Sequence, residues 1–101
     1  MYAAVASGEV DVIAGYTSDG LIAKYDLVVL DDPAHAIPPY DAIMLLAPKR
    51  ADDQKLRSAL QPLLGRIDIA SMREANLRAA AGDAESSPSE VARWLWQKIG
   101  K

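Results

Sequence analysis

Leu27-Val28-Val29-Leu30 is an uninterrupted apolar tetrapeptide set between Tyr25-Asp26 and Asp31-Asp32. It is apolar on both faces, the mark of a strand buried on both sides. Two neighbouring stretches read the same way. Val10-Asp11-Val12-Ile13-Ala14 is a β-branched apolar run short enough for a strand, and Asp41 to Ala47 contains Ala42-Ile43-Met44-Leu45-Leu46, a further buried strand closed by Pro48. Between them lie a turn-rich loop, Gly15-Tyr16-Thr17-Ser18-Asp19-Gly20, and a short helical turn over Leu21-Ile22-Ala23-Lys24-Tyr25. Asp31 to Pro39 is a loop, because each X-Pro step pushes its predecessor into extended conformations.

Outside this region the signals are helical. Met1, Tyr2, Val5 and Ala6 share a face at helical spacing, and Gly8 is a good stop. Asp52 or Asp53 can cap a helix presenting Leu56, Leu60 and Leu63 or Leu64, with Pro62 kinking or shortening its end. Asp68 can cap a second helix with Met72, Ala75 and Ala79 inward, and Gly82 to Ser86 breaks it. Ser87-Pro88-Ser89-Glu90 is a capping box with proline at the first helical position, opening a last helix with Val91, Leu95 and Ile99 on one stripe. The expectation is an α/β fold with two to three strands and about four helices, a single domain over residues 1–101. Strands buried on both faces need layers on both sides. Three helices and three strands barely supply them, so a second chain or missing residues are expected to complete the sheet.

The composition narrows the function. At 101 residues, 50% hydrophobic and 25% charged, the chain is one small globular domain. Eleven basic against fourteen acidic residues give a net charge of -3, which argues against a nucleic-acid partner bound through a general basic field. The absence of cysteine excludes disulfides, thiolate chemistry and a cysteine-based zinc site, and a single histidine excludes an enzyme that uses two. The longest apolar run is too short to span a membrane. Tyr2-Ala3-Ala4-Val5-Ala6-Ser7 after Met1 lacks the basic region of a secretory signal. The chain is therefore expected either to stay inside the cell or to be a piece of something longer.

Tyrosine supplies four of the six aromatic residues. Tyr16 follows a predicted strand and Tyr40 precedes one, both in strand-terminal loops where α/β proteins place ligand sites. Each can plug a core edge with its hydroxyl in water. Together they can also cage a quaternary ammonium, which has no N–H to donate and is attracted by aromatic faces at roughly 0.5–2 kcal/mol each. Asp31-Asp32-Pro33-Ala34-His35 could be taken as a metal or acid–base cluster, but adjacent acids on an extended chain diverge, so a solvated loop is expected. Thr17-Ser18-Asp19 has a hydroxyl and an acid without a catalytic base, and reads as an Asx-type turn. Trp94 and Trp96, two apart on a helix, face nearly opposite ways: one core, the other over a neighbouring element or partner. No phosphate-binding glycine loop, metal-ligand spacing or nucleophile elbow occurs, so no enzyme, metal or cofactor is expected.

The blocks in order resemble the substrate-binding proteins of osmoprotectant (glycine betaine, carnitine, choline) ABC transporters. Residues 1–13 look like that family's helix-to-strand segment, and Gly15 to Gly20 is similar to its tyrosine–serine/threonine–aspartate turn. Tyr25 to Asp32 and Pro38-Pro39-Tyr40-Asp41-Ala42 resemble the next two blocks, and Asp68 to Asn76 and Ser87 to Ala92 its C-terminal helices. The chain departs from the family at His35-Ala36-Ile37, where aromatics usually precede the Pro-Pro-Tyr, and at the more apolar Met44-Leu45-Leu46. The resemblance covers the family's C-terminal third. It implies part of a two-lobed periplasmic-binding-protein-like (type II) architecture, with 1–14 at the edge of the second lobe, 15–26 a hinge-like crossover and 27–101 the C-terminal part of the first. It further implies a tyrosine box that takes a quaternary ammonium small molecule at Tyr16, Tyr40 and Thr17. An ABC permease in the membrane would be the partner, and the location periplasmic or extracytoplasmic. Independently of the resemblance, Leu27–Leu30 and Ala42–Leu46 read as buried on both faces, so the isolated chain is expected to be a homo-oligomer. The competing expectation is a small non-enzymatic α/β interaction domain that homodimerises without ligand.

Overall fold

Four side chains start helices by accepting a backbone N–H that the first turn leaves without a partner. Asp19 accepts from Leu21 and begins α2, Gly20–Lys24. Asp53 accepts from Leu56 and begins α3, Gln54–Leu60. Asp68 accepts from Ser71 and begins α4, Ile69–Ala79. Ser87 accepts from Glu90 and begins α5, Pro88–Ile99, with Pro88 in the first turn. The first helix, α1 (Tyr2–Ser7), is instead defined at its end, where Gly8 at φ 78 turns left-handed. Pro48–Arg50 and Gln61–Leu63 are single 3₁₀ turns, the second carrying Pro62 at the close of α3. The computed structural model describes residues 1–82 and 86–100. The break expected over Gly82 to Ser86 therefore lies partly outside the described residues.

The chain divides into two compact units, Met1–Val29 with Gly65–Lys101, and Leu30–Leu64. In the first, α2 and α5 both pack on α4. Its core is Ile22 from α2, Ala75 from α4 and Val91 from α5, with Ser71 buried beside them on the α4 face. Small residues set the spacing. A Cβ on Gly20 would stand 2.5 Å from the Leu77 backbone nitrogen and 2.7 Å from its Cα, so the α2 backbone reaches α4 only because position 20 has no side chain. Ala79, expected inward, is exposed, while Met72 is half-buried. The second unit holds α3 and the two 3₁₀ turns, with Leu56, Leu60 and Leu63 half-buried and Leu64 52% exposed.

The expected α/β architecture does not hold. Among the described residues there is no strand, and the helices number five rather than about four. Val10–Ala14, Leu27–Leu30 and Ala42–Leu46 are irregular, and the apolar side chains meant to be buried on both faces stand out: Val28 is 86% exposed, Leu45 85%, Leu30 74% and Ile43 73%. A strand exists only through a ladder to a neighbouring strand. Among the described residues the backbone–backbone hydrogen bonds outside the helices are all local; the longest reach runs from the Val10 N–H to the Ala4 carbonyl. Local signals prevail at the strand boundaries too. Asp26, at φ 52, ends α2 in a Schellman arrangement, its N–H donating to Ala23 and the Leu27 N–H to Ile22.

Two observations make the α2–α4 seam testable. The clash at Gly20 is with backbone, which cannot swing aside, and position 20 is buried. Gly20→Ala is expected to lower unfolding stability by about 1–3 kcal/mol, read as a shifted denaturant midpoint at constant slope. An unchanged midpoint would mean that the seam is looser than described.

Candidate functional site

The turn carrying Tyr16 belongs to the first unit. The Asp19 N–H closes it by donating to the Tyr16 carbonyl at 3.0 Å. The next two carbonyls are both taken by α4: Arg73 Nε donates to Thr17 at 2.6 Å, and Asn76 Nδ2 donates to Ser18 at 2.8 Å. Asp19 does double duty. Its carboxylate accepts the Leu21 N–H at 2.9 Å, the Asx-type arrangement expected from Thr17-Ser18-Asp19, and also the Tyr2 phenol. Partial burial first, then the Asp19 hydrogen bond and charge, raise the Tyr2 phenol above its ordinary range. Gly15 leaves room for this contact, because a Cβ there would meet Tyr2 Oη at 2.6 Å. The backbone of the turn is thus held from several sides, while Tyr16 is 63% exposed and Thr17 is also exposed.

The loop before Tyr40 belongs to the second unit and is built around one carboxylate. Asp32 accepts the Ala36 N–H at 3.1 Å and the Ile37 N–H at 2.8 Å, and its own carbonyl accepts the His35 N–H at 3.0 Å. His35 takes a left-handed φ of 49 to make the bend. The Ile37 and Ala36 N–H groups hold the Asp32 carboxyl below the usual carboxylate range. Pro38-Pro39 then leads to Tyr40, 83% exposed. Asp32 is therefore a loop organiser. No cluster of three metal-ligating side chains occurs among the described residues.

Sequence reading missed Arg73 and Asn76. They lie three apart on one face of α4, which periodicity would allow, but their acceptors are 56 and 58 residues away. Of the two tryptophans, Trp94 is half-buried, with the Arg78 guanidinium 4.1 Å and Lys98 Nζ 5.0 Å from its ring centroid, and Trp96 is 52% exposed.

Tyr16 thus stands exposed on a braced turn of the first unit, and Tyr40 on a carboxylate-organised loop of the second. The family described as the substrate binding domain of ABC-type glycine betaine transport systems matches residues 1–98, and the chain belongs to that family. Two curated relatives carry the name carnitine transport binding protein OpuCC, one from Listeria monocytogenes serotype 1/2a (strain 10403S) and one from Listeria monocytogenes. Each is 33% identical over 99 residues, 97% of this chain and 32% of the relative. The chain therefore spans about a third of the length of these relatives. No solved structure gives a significant match.

The Asp32 bonds carry a pH signature. Folding favours the ionised form, so the loop's stabilisation is present above about pH 4, the ordinary aspartate range, and is lost as pH falls through the lower folded value. The Ala36 and Ile37 amide resonances are expected to shift together on acidification, with a midpoint below the ordinary aspartate value. A midpoint at or above that value would remove the assignment.

Proposed function

We propose that the chain forms part of the ligand-binding component of an osmoprotectant importer. The residues it offers to the quaternary ammonium end of a zwitterion such as glycine betaine or carnitine are, each taken within its own unit, Tyr16 with Thr17 beside it in the first and Tyr40 in the second. The partner would be an ABC permease in the membrane and the location extracytoplasmic, and the role is capture without chemistry. The observation that carries this reading is the exposure of the two rings, 63% and 83%, on turns whose backbones are tied down, in a chain of this family. Methylated ammonium offers no N–H, so carboxylates and carbonyls grip it poorly and aromatic faces are the fitting partner.

Magnitudes limit what this chain does alone. Two faces at roughly 0.5–2 kcal/mol each give at most about 4 kcal/mol. That corresponds to a dissociation constant of about 1 mM before association entropy is subtracted. Titration of the chain with glycine betaine, followed by the tyrosine ring resonances, is expected to respond only at millimolar concentration or above. Tyr16→Ala and Tyr40→Ala should each weaken the response several-fold. Tyr25→Ala, at the half-buried end of α2 with Lys24 Nζ 5.6 Å from its ring centroid, should do much less. Wild-type binding by both exposed-ring variants would return these tyrosines to a packing role.

A second reading rests on the exposure of Val28, Leu30, Ile43 and Leu45, apolar side chains that favour association of the isolated chain. Light scattering over a concentration series is expected to show self-association. A monomer at high concentration would sink that reading and leave the first intact.

A further inference from the structure

Tyr16 is 63% exposed, and the turn that carries it is closed by the Asp19 N–H and bonded at the two following carbonyls by α4. Neither α4 bond is part of the helix core, which runs through Ala75 toward Ile22 and Val91. Docking of α2 on α4 is already set by the bare Gly20 backbone against Leu77. Arg73 and Asn76 contribute something separate, since their donors end on the peptide groups directly after Tyr16.

We infer that Arg73 and Asn76 are positioning residues, which fix the backbone after Tyr16 so that its ring is presented ready-ordered to a quaternary ammonium group; the ligand part of this rests on the reading proposed above. The attraction between a methylated cation and a ring is weak and depends on the cation lying over the face. An aromatic side chain on a loose turn must be ordered at the moment of binding, and that cost comes out of an already small affinity. Two side-chain donors from a regular helix remove part of it in advance. The two donors are complementary. Asn76 is an uncharged amide on a half-buried bond, and Arg73 places one guanidinium N–H on an exposed carbonyl.

The test combines amide hydrogen exchange with glycine betaine titration on the whole chain, for wild type, Asn76→Leu, Arg73→Met and Arg73→Lys. Removing either donor is expected to speed exchange of the Asp19 N–H by about two- to tenfold, the range of one net hydrogen bond, with exchange of the Val91 and Leu95 amides in α5 unchanged. The glycine betaine midpoint read at the Tyr16 ring should rise by a similar factor, and Arg73→Lys, which keeps a donor, should recover part of both effects. Unchanged Asp19 exchange, or exchange that quickens equally at Asp19 and in α5, would overturn the proposal: the first means no bracing, the second only a general loss of stability. Should Asn76→Leu fail to fold, the exposed Arg73 bond alone decides by the same comparison. If the Asp19 effect is present and the wild-type ring never responds to glycine betaine, positioning of the turn stands and the quaternary ammonium reading fails.

Discussion

The contact on which the first unit depends is between two backbones: that of Gly20 and that of Leu77, too close for any side chain between them. Because α2 can come this near to α4, Ile22 and Ala75 are both buried where the two helices pack, and the turn preceding α2 falls within reach of Arg73 and Asn76. Asp19 links the same region to α1 by accepting the Tyr2 phenol while it caps α2. A loop that would otherwise wander is thereby fixed by its place beside a helix rather than by its own sequence.

On the other side of α4 the linkage is electrostatic. Glu74 accepts from Lys98 Nζ of α5 at 2.9 Å and from Arg78 Nη2 of its own helix at 2.7 Å, in that order of influence on its lowered carboxyl pKa. Both cations also lie near the Trp94 ring. The one Glu74 carboxylate offsets one of the two positive charges, and both charged heads lie over the indole face. Arg66 adds a bond from Nη2 to the Ile99 carbonyl at the end of α5. These pairs are exposed and screened by salt, so they refine the position of α5 rather than hold it. The anchor of α5, which packs on α4, is its buried Val91.

The turns that carry Tyr16 and Tyr40 were legible only in part. That Tyr16 and Tyr40 stand in turns was readable from the glycines and prolines around them. What makes each turn rigid was not. At Tyr40 the organiser, Asp32, is close by in sequence, yet adjacent acids in a proline-containing stretch look the same whether or not a carboxylate curls back onto two amides. At Tyr16 the organisers are in another helix altogether.

Features that depend on a few neighbouring residues were legible in the amino-acid order alone. Asp53, Asp68 and Ser87 cap the helices they were expected to cap, Gly8 ends α1 in the left-handed region, and Pro62 closes α3 in a 3₁₀ turn. Each rests on hydrogen bonds within about one helical turn. Even there a local ambiguity survived, since the Glu90 carboxylate pairs with Arg93. The fate of Val10–Ala14, Leu27–Leu30 and Ala42–Leu46 was set by long-range pairing and not by local pattern. Their apolar pattern is compatible with strands, but a strand needs a ladder partner, and none is present among the described residues, so most of the same side chains stand in solvent while Ile13, Leu27 and Leu46 are half-buried. The bracing of Tyr16 by Arg73 and Asn76 was decided at the same level, because a carbonyl and a donor 56 or 58 residues apart meet only after the helices between them have packed.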